Sequence, residues 1–389
     1  MIVFLIRAWV LGLVFFSGLA DASVGKRART SSLRQLELSE IPEFQIDDAA
    51  LGSPEAGSRG GLMTALKRQL PLCQDLPDAW DFGRFKVSRE RWCKETISWF
   101  LGKLESGASL QQIFESARRE LDWYESTGKP ETGEVQFTGY FFPVHRARLV
   151  KDSEFRYPVY RTPPDLKTPY FTRKEIESEG ALAGKNLEIA FLNNPVDPYI
   201  LQVQGSGALL VPDGSGGETR MIVNYASENG RPYSSLGKAM RAAGIEDRYI
   251  SLQGIHEFFT HVRPDLWTKF SNLNESYVFF KKDQEGPYGY SGVILTPKHS
   301  IAVDRRVFPM GMVGLIQTER PEGVGGASAS VLAWKKFVQF VVTQDTGGAI
   351  RTPGRVDVFW GEGPYAEIAA GKTDRTGRLL FFLPKKRAW

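Results

Sequence analysis

The spacing of apolar positions divides the chain into a helical part and a strand-rich part. Apolar residues recur at helical spacing over 87–104 and 110–124, and both segments are predicted as helices. Two more helices are predicted over 235–243 and 251–270, the second interrupted at its proline. From residue 291 onward, short apolar runs alternate with glycine-rich turns, which is typical of a small β-barrel.

Strand-like sequence also occurs before that barrel region. The segments 135–144 and 278–280 are rich in β-branched and aromatic residues and are predicted as strands. Polar and apolar residues alternate over 200–207, so this segment is predicted as a strand that ends in a Gly-Ser-Gly turn. With roughly 365 residues after its first segment, the chain is long enough for two domains.

Residues 1–22 read as a secretory signal, because an apolar run is followed by a cleavage-site pattern at Ala20-Asp21-Ala22. An uncleaved N-terminal anchor is the alternative, since the apolar stretch extends over 2–16. No cysteine lies near the cleavage site, so we expect no lipid anchor. Residues 23–60 are polar and lack sustained periodicity, which predicts a flexible leader. We therefore expect an exported protein.

The charged and metal-ligating residues argue against several classes of protein. A net charge of +4 over 389 residues is mild, and the basic residues are dispersed, which does not favour a nucleic-acid-binding protein. The four histidines lack a compact metal spacing, so we expect neither a metal site nor a cofactor. Cys73 and Cys93 are open to two interpretations, a disulfide in an oxidising compartment or two free buried thiols.

Two carboxylates stand in apolar, strand-like sequence near the C-terminus. Asp345 follows the run 337–342, and Asp357 lies between valines. Desolvation and a neighbouring like charge both raise the pKa of a carboxyl, so the pair predicts an acid catalyst. The alternative is a turn, in which the aspartate of Asp-Thr-Gly caps the backbone and the glycine supplies a positive φ.

Further motifs occur in a fixed order along the chain. They are Phe-Thr-Gly-Tyr-Phe-Phe-Pro at 137–143, Gln-Val-Gln-Gly-Ser-Gly at 202–207, Asn-Glu-Ser-Tyr-Val-Phe-Phe at 274–280, Ala-Val-Asp at 302–304, Pro-Met-Gly at 309–311, Gln-Asp-Thr-Gly-Gly-Ala-Ile at 344–350 and Val-Asp-Val-Phe-Trp-Gly at 356–361. With these motifs the chain resembles the lytic murein transglycosylase A family over about 135–383. Members of that family carry a 3D domain, named for three aspartates, which here correspond to Asp304, Asp345 and Asp357.

The resemblance implies a mainly β fold with N-terminal helices, in which a double-psi β-barrel domain carries an inserted second β-rich domain. The barrel would comprise 61–152 and 293–389, with the 3D motif in the second of these segments. The inserted, substrate-binding domain would comprise 153–292, and a deep groove would lie where the two domains meet.

The resemblance also implies a reaction. Lytic transglycosylases cleave the β-1,4 bond between N-acetylmuramic acid and N-acetylglucosamine in peptidoglycan without water and leave a 1,6-anhydromuramyl end. One aspartate serves first as acid and then as base, and by motif correspondence we assign that role to Asp357. Asp345 would set the pKa of Asp357 or stabilise the oxocarbenium-like charge, and Asp304 is the weakest of the three catalytic candidates, with a structural turn as its alternative.

The substrate-binding candidates follow from the same motifs. Thr138 and Tyr140 would contact the glycan from the barrel side, with the tyrosine ring stacking on a sugar. The other candidates are Gln202, Gln204, Ser206 and Gly347. Ordinary strand packing or turn hydrogen bonding is the alternative for each of them.

Two rival functions stay open on the sequence. An aspartic protease would use Asp345-Thr346-Gly347, but a single chain needs two such triplets and only one occurs here. A non-catalytic peptidoglycan-binding module would bind glycan without cutting it. In either glycan interpretation the partners are peptidoglycan strands, the compartment is the periplasm next to murein or the outer membrane, and we expect a monomer. Membership of a larger complex of cell-wall enzymes stays open.

Overall fold

The computed structural model describes residues 31–46, 58–325 and 330–385, and the side chains of these residues other than 323–332. The predicted signal segment 1–22 lies outside the described residues. Within the described part, no helix combines the length and the apolar character that crossing a bilayer requires.

Strands dominate the described chain, and helices occur mainly before residue 121 and between residues 196 and 271. The strands are β1 (Leu33–Leu36), β2 (Ala79–Asp81), β3 (Lys86–Ser88), β4 (Leu121–Ser126), β5 (Val135–Tyr140), β6 (Val144–Arg146), β7 (Tyr157–Tyr160), β8 (Glu188–Leu192), β9 (Ser206–Pro212), β10 (Glu218–Glu228), β11 (Val278–Asp283), β12 (Ser300–Ala302), β13 (Val313–Gly325), β14 (Ser330–Asp345), β15 (Arg355–Phe359) and β16 (Arg375–Pro384). The α-helices are α1 (Ser58–Gln69), α2 (Thr96–Glu105), α3 (Leu110–Glu120), α4 (Arg173–Glu177), α5 (Val196–Gln204), α6 (Leu236–Ala242), α7 (Leu252–Glu257), α8 (Trp267–Ser271) and α9 (Pro364–Lys372). Short 3-10 helices lie at Leu38–Glu40, Leu70–Asp75, Asp247–Tyr249 and Pro264–Leu266, and π-helical turns at Glu90–Glu95 and Phe258–Val262.

Six strands close into a barrel in the order β5-β16-β13-β14-β12-β15, with β15 returning to β5. The β12–β14 and β15–β5 pairs are parallel and the remaining pairs are antiparallel. Closure leaves no edge strand within the barrel, and β4 and β1 extend the sheet outward from β16. Inward-facing valine, isoleucine, leucine and phenylalanine side chains of these strands form much of the largest buried cluster.

A second sheet is inserted in the chain between barrel strands β5 and β12. Its strand order is β11-β10-β9-β6, and β7 pairs with β8 beside it. The predicted fold class, a barrel with an inserted β-rich domain and N-terminal helices, is confirmed. The division of the chain at residue 153 stays a prediction; the pairing of the second sheet already begins at Val144, opposite Ala208.

The strand predicted over 200–207 is wrong. This segment ends helix α5, which stops at Gly205 with a φ of +79°, and β9 then begins at Ser206. All residues of α5 except Val203 are buried, so its polar and apolar positions form no helical stripe that the sequence could reveal.

The N-terminal helices pack on the barrel through the Pro-Met-Gly loop. The Trp92 indole N–H donates to the carbonyl of Met310 at 3.2 Å. Cys73 and Cys93 form a disulfide, which resolves the two interpretations left open by the sequence. Gly311 lies against this disulfide, since a Cβ there would stand 2.6 Å from the sulfur of Cys93. The helix predicted over 110–124 is shorter, because its last residues pair as β4.

Residues 31–46 differ from the flexible leader predicted over 23–60. Strand β1 pairs with β4 at the outer edge of the sheet, with Leu33 opposite Ser126. Leu33, Ile41 and Phe44 are buried against the main core, so a few spaced apolar residues are enough to anchor an otherwise polar segment.

We expect the disulfide to stabilise the helical layer. A bridge across 20 residues restricts the unfolded chain and is worth about 3 kcal/mol. Replacing both cysteines with serine should lower the free energy of unfolding by that amount in urea. Reduction of the native protein should have the same effect and should leave the double variant unchanged. Equal stability of the oxidised and reduced protein would contradict this role.

Candidate active site

Four residues on adjacent strands form one row across the barrel wall. Ala302 of β12 is in register with Asp345 of β14 on one side and with Asp357 of β15 on the other. Asp357 is in turn opposite Thr138 of β5. Neighbouring strands lie about 4.8 Å apart, so the Cα atoms of the two aspartates are separated by roughly 10 Å.

A shift in strand register directs Asp345 into this row. Between Ile301 and Ala302 the register of β12 against β14 shifts by one residue, which leaves Gln344 as the extra residue. Gln344 is fully buried, and it accepts a hydrogen bond from Ser300 at 2.6 Å and donates to helix α1 at the carbonyl of Ala65. Because of this extra residue, the side chain of Gln344 lies in the core and the side chain of the next residue, Asp345, lies in the site.

The carboxylate of Asp345 has donors on both oxygens. Oδ1 accepts from the backbone N–H of Tyr290 and of Thr346, each at 2.9 Å, and Oδ2 accepts from the Tyr140 hydroxyl at 2.9 Å. Burial raises the pKa of Asp345 to about 6, although the three hydrogen bonds act in the opposite direction. The negative charge of Asp357 adds to the increase.

Tyr140 extends from β5 toward Asp345. Its ring lies 5.2 Å from that of Phe359, and burial, with the neighbouring carboxylates, raises the pKa of Tyr140 well above its usual value. The phenol therefore stays neutral and donates a hydrogen bond to Asp345. The hydroxyl is engaged inside the site in this structure.

Asp357 has a different environment, because its hydrogen bonds converge on one oxygen. Oδ1 accepts from the Thr138 hydroxyl and, at 3.0 Å, from Nε of Arg355. Arg355 also donates from Nη2 to the Thr138 hydroxyl oxygen at 2.8 Å, so the three side chains form a closed ring. Within the described residues Oδ2 has no hydrogen-bond partner, and 19% of the side chain is exposed.

Asp304 is buried and holds two loops together. Arg306 donates to both of its oxygens, and the backbone N–H of Thr352 donates to Oδ2 at 3.0 Å. Burial alone would raise the pKa of Asp304, but these donors outweigh burial and hold the pKa below its usual value. The carboxylate thus links the turn after β12 to the loop between β14 and β15, as a structural turn aspartate would.

The other predicted binding residues are spread over several environments. Gln202 accepts from buried Arg173 at 2.7 Å, and Gln204 accepts from the backbone N–H of Phe141 at 2.8 Å. Ser206 is buried at the start of β9, opposite Asn224. Gly347 lies in the loop after Asp345, where its carbonyl accepts from Ile350 and Arg351. Thr138 and Tyr140 are therefore the two of these residues that contact the aspartates directly.

Three site residues escaped the sequence analysis. Arg355 stands two positions before Asp357 on a strand, so the period-two pattern of strands could have identified it as a same-face neighbour. Tyr290 lies at the end of the insert, and its backbone N–H donates to Asp345. Tyr233 interacts electrostatically with Asp357 and Arg355. No local sequence signal links these two tyrosines to the aspartates.

Two family models match the chain. The MltA specific insert domain matches residues 136–281, and the 3D domain matches residues 299–383. The first spans strand β5 and the inserted sheet, and the second spans barrel strands β12 to β16.

Relatives of known name cover most of the chain. Membrane-bound lytic murein transglycosylase A of Vibrio cholerae is 32% identical over 296 residues, which are 71% of this chain and 77% of that protein. The protein of the same name from Escherichia coli K12 is 34% identical over 263 residues, 67% of this chain and 68% of the relative.

Solved structures have the same fold. The E. coli MltA structure with bound chitohexaose is 27% identical with a TM-score of 0.68, and the match covers 91% of this chain and 95% of that one. The membrane-bound lytic murein transglycosylase of Agrobacterium tumefaciens, 22% identical, has a TM-score of 0.69 over 91% of this chain and 98% of its own. The second likeness concerns the fold alone.

The raised pKa of Asp345 predicts a pH-dependent effect of Asp345→Asn. Because the pKa is about 6 in the folded chain and near 4 when unfolded, ionisation costs the native state stability as pH rises from about 4 to 6. The asparagine stays neutral and can keep the same partners. The free energy of unfolding of Asp345→Asn, relative to that of the wild type, should therefore rise by about 1 to 2 kcal/mol between pH 4 and 7.5. This range includes a reduction for screening by solvent.

Urea unfolding at several pH values measures this difference. Asp78→Asn, the same chemical change at a 94% exposed side chain, is the matched comparison. A stability difference between Asp345→Asn and wild type that is constant over this range would mean that Asp345 is not held in a desolvated environment.

Proposed function

We propose distinct roles for the three aspartates of this chain, which belongs to the membrane-bound lytic murein transglycosylase A family. The chain is a peptidoglycan-cleaving enzyme that breaks the β-1,4 bond between N-acetylmuramic acid and N-acetylglucosamine and forms 1,6-anhydromuramyl ends. The E. coli structure with chitohexaose supports a glycan in the site. The proposal concerns which side chains carry out the chemistry.

One observation carries the assignment of Asp357 as acid and base. Among the three aspartates, Asp304 and Asp345 have hydrogen-bond donors on both carboxylate oxygens. In the described part of the chain, Oδ2 of Asp357 alone is left for a substrate. A group that must give and then take a proton needs such an oxygen within hydrogen-bond reach of the reacting atoms.

The reaction then proceeds on Oδ2 of Asp357. The protonated carboxyl donates to the glycosidic oxygen, and the bond from that oxygen to C1 of the muramyl residue breaks with oxocarbenium-like charge at C1. The carboxylate next accepts the proton of the muramyl C6 hydroxyl, whose oxygen attacks C1 and closes the anhydro ring. The proton returns to Oδ2, so one carboxyl serves both steps and no water is consumed.

Asp345 and Tyr140 support this chemistry electrostatically. Because the pKa of Asp345 is about 6, the group is mostly ionised at neutral pH and adds negative potential near the developing charge at C1. Its oxygens are held by Tyr140 and two backbone N–H groups, so it does not need to move. Asp304 fixes the loop between β14 and β15, the strands of Asp345 and Asp357, and takes no part in proton transfer.

The geometry argues against the aspartic-protease alternative. Such proteases share one proton between two carboxyls about 3 Å apart. Here Asp345 and Asp357 stand on strands separated by β12, roughly 10 Å apart at Cα. Each carboxyl also has its own set of donors, and these sets have no residue in common.

Localisation and binding surface belong to the same proposal. The relatives are membrane-bound by name, which supports association of this chain with the cell envelope, and we propose the periplasm as its compartment.

The insert would bind the glycan opposite the barrel, with exposed Tyr233 and Tyr290 as platforms for sugar rings. A monomer would suffice, since each aspartate is positioned within one chain.

Asp357→Asn should abolish cleavage while leaving the fold intact. The asparagine cannot donate and retrieve a proton, so release of anhydromuropeptides from sacculi should fall about 1,000-fold or more. Mass spectrometry of the digest measures the product, and thermal unfolding checks the fold. Asp78→Asn, which removes an exposed carboxylate, should keep wild-type activity. A folded Asp357→Asn enzyme with full lytic activity would falsify the assignment.

A further inference from the structure

Arg355 binds its carboxylate through one hydrogen bond and leaves part of its guanidinium exposed to solvent. Its contacts within the described residues are the bond from Nε to Oδ1 of Asp357 and the bond from Nη2 to Thr138. Nη1 has no partner there, and 28% of the side chain is exposed. The guanidinium can therefore turn toward a ligand without leaving a buried group unpaired.

Two other arginines show what a fixed structural contact looks like in this chain. Arg173 is 1% exposed and donates to Asn274, Glu177, Gln202 and Ser276. Arg306 binds Asp304 through two parallel bonds, one to each oxygen. Arg355 makes one bond to its carboxylate, although two are available to an arginine fork.

The ring of Arg355, Thr138 and Asp357 conflicts with the first step of the reaction. The Arg355 guanidinium donates a hydrogen bond to the carboxylate oxygen Oδ1 of Asp357, whereas the acid step uses Asp357 in its carboxylic acid form. An acceptor on the substrate that drew the guanidinium away would remove this conflict when substrate is bound. Muramic acid has such an acceptor, because its lactyl ether at O3 ends in a carboxylate or acyl oxygen near the scissile bond. N-acetylglucosamine lacks this group.

We propose that Arg355 is a specificity-determining residue that binds the lactyl group of the muramyl residue and, in doing so, releases Asp357 to take up the proton that it donates. The inference rests on the proposed function of Asp357 and names the substrate feature that this site recognises. It makes protonation of the acid depend on the correct sugar, so that glycans without a lactyl group are bound but not activated.

The charged and titratable groups around the ring of Arg355, Thr138 and Asp357 are consistent with Arg355 as the group that binds the substrate. Asp345 and Tyr140 face Asp357 from β14 and β5, and both are already hydrogen-bonded to each other. Tyr233 of the insert interacts electrostatically with it. Thr138 adds no charge. Arg355 is thus the one cation in contact with Asp357 among the described residues.

Arg355→Met and Arg355→Lys test the proposal on two ligands. Glycan strands stripped of their peptides present the lactyl carboxylate, and chitohexaose, used as a competitive inhibitor, has none. For Arg355→Met we expect KM on the stripped strands to rise about tenfold or more, while the inhibition constant of chitohexaose stays within about twofold. The value of kcat on the stripped strands should change little, because the substitution removes a substrate contact and leaves Oδ2 of Asp357 in place.

Arg355→Lys keeps the charge and loses the fork. It should recover only part of the affinity for the stripped strands. The proposal is overturned if Arg355→Met raises KM and the chitohexaose constant together, as a merely structural role would. If Arg355→Met fails to fold, Arg355→Lys with unchanged affinity for both ligands overturns it too. Wild-type enzyme that forms no anhydromuropeptides would instead reject the proposed function itself.

Discussion

The register of the short strand β12 against its two neighbours is the constraint on which the site depends. Ala302 is opposite Asp345 on one side and Asp357 on the other, so a shift of one residue in either pairing would turn an aspartate to the opposite face of the sheet. The chain secures this register at several points. Gln344 ties β14 to Ser300 and helix α1, and Thr343 bonds the Pro-Met-Gly loop through Met312 and Pro309. The disulfide-linked helices pack against that loop.

Once the row is fixed, hydrogen-bond donors rather than distance separate the roles of the aspartates. Asp304 and Asp345 are both satisfied on each oxygen, and they differ in charge compensation. A guanidinium neutralises Asp304, whereas the donors to Asp345 among the described residues are neutral, which is why burial can raise its pKa to about 6. Among the described residues, Oδ2 of Asp357 has no hydrogen-bond partner, and Oδ1 binds one cation, Arg355. These differences are the basis for proposing that the barrel provides a structural, an electrostatic and a reactive carboxylate.

The sequence predicted the barrel and the aspartate pair because both depend on local signals. Apolar runs such as 337–342 and the strand period around Asp357 identify buried strands directly. Helix α5 could not be predicted in this way, since burial on all sides removes the periodicity by which a helix is identified. Strand β1 could not be predicted either, because it lies in largely polar sequence where few apolar residues mark a strand.

The site residues divide along the same line. Arg355 could have been found from its spacing to Asp357, but the hydrogen bond from Tyr290 to Asp345 joins positions 55 residues apart and exists only in the folded chain. Gln202 and Gln204 were chosen for their polar groups, and a sequence cannot reveal that those groups bind Arg173 and Phe141 within the protein. Contacts between residues that are distant in the sequence are thus what sequence reasoning supplies least.

The central claim is that one carboxyl cleaves the glycan without water. Digestion of sacculi in water enriched in ¹⁸O, followed by mass spectrometry of the released muropeptides, tests it most directly. The account predicts products that are lighter than the corresponding reducing-end muropeptides by one water, about 18 Da. They should have no heavy oxygen at C1, because the muramyl C6 hydroxyl is the nucleophile. Reducing ends that carry ¹⁸O would show that water attacks C1, and would contradict the assignment of Asp357 as base toward that hydroxyl.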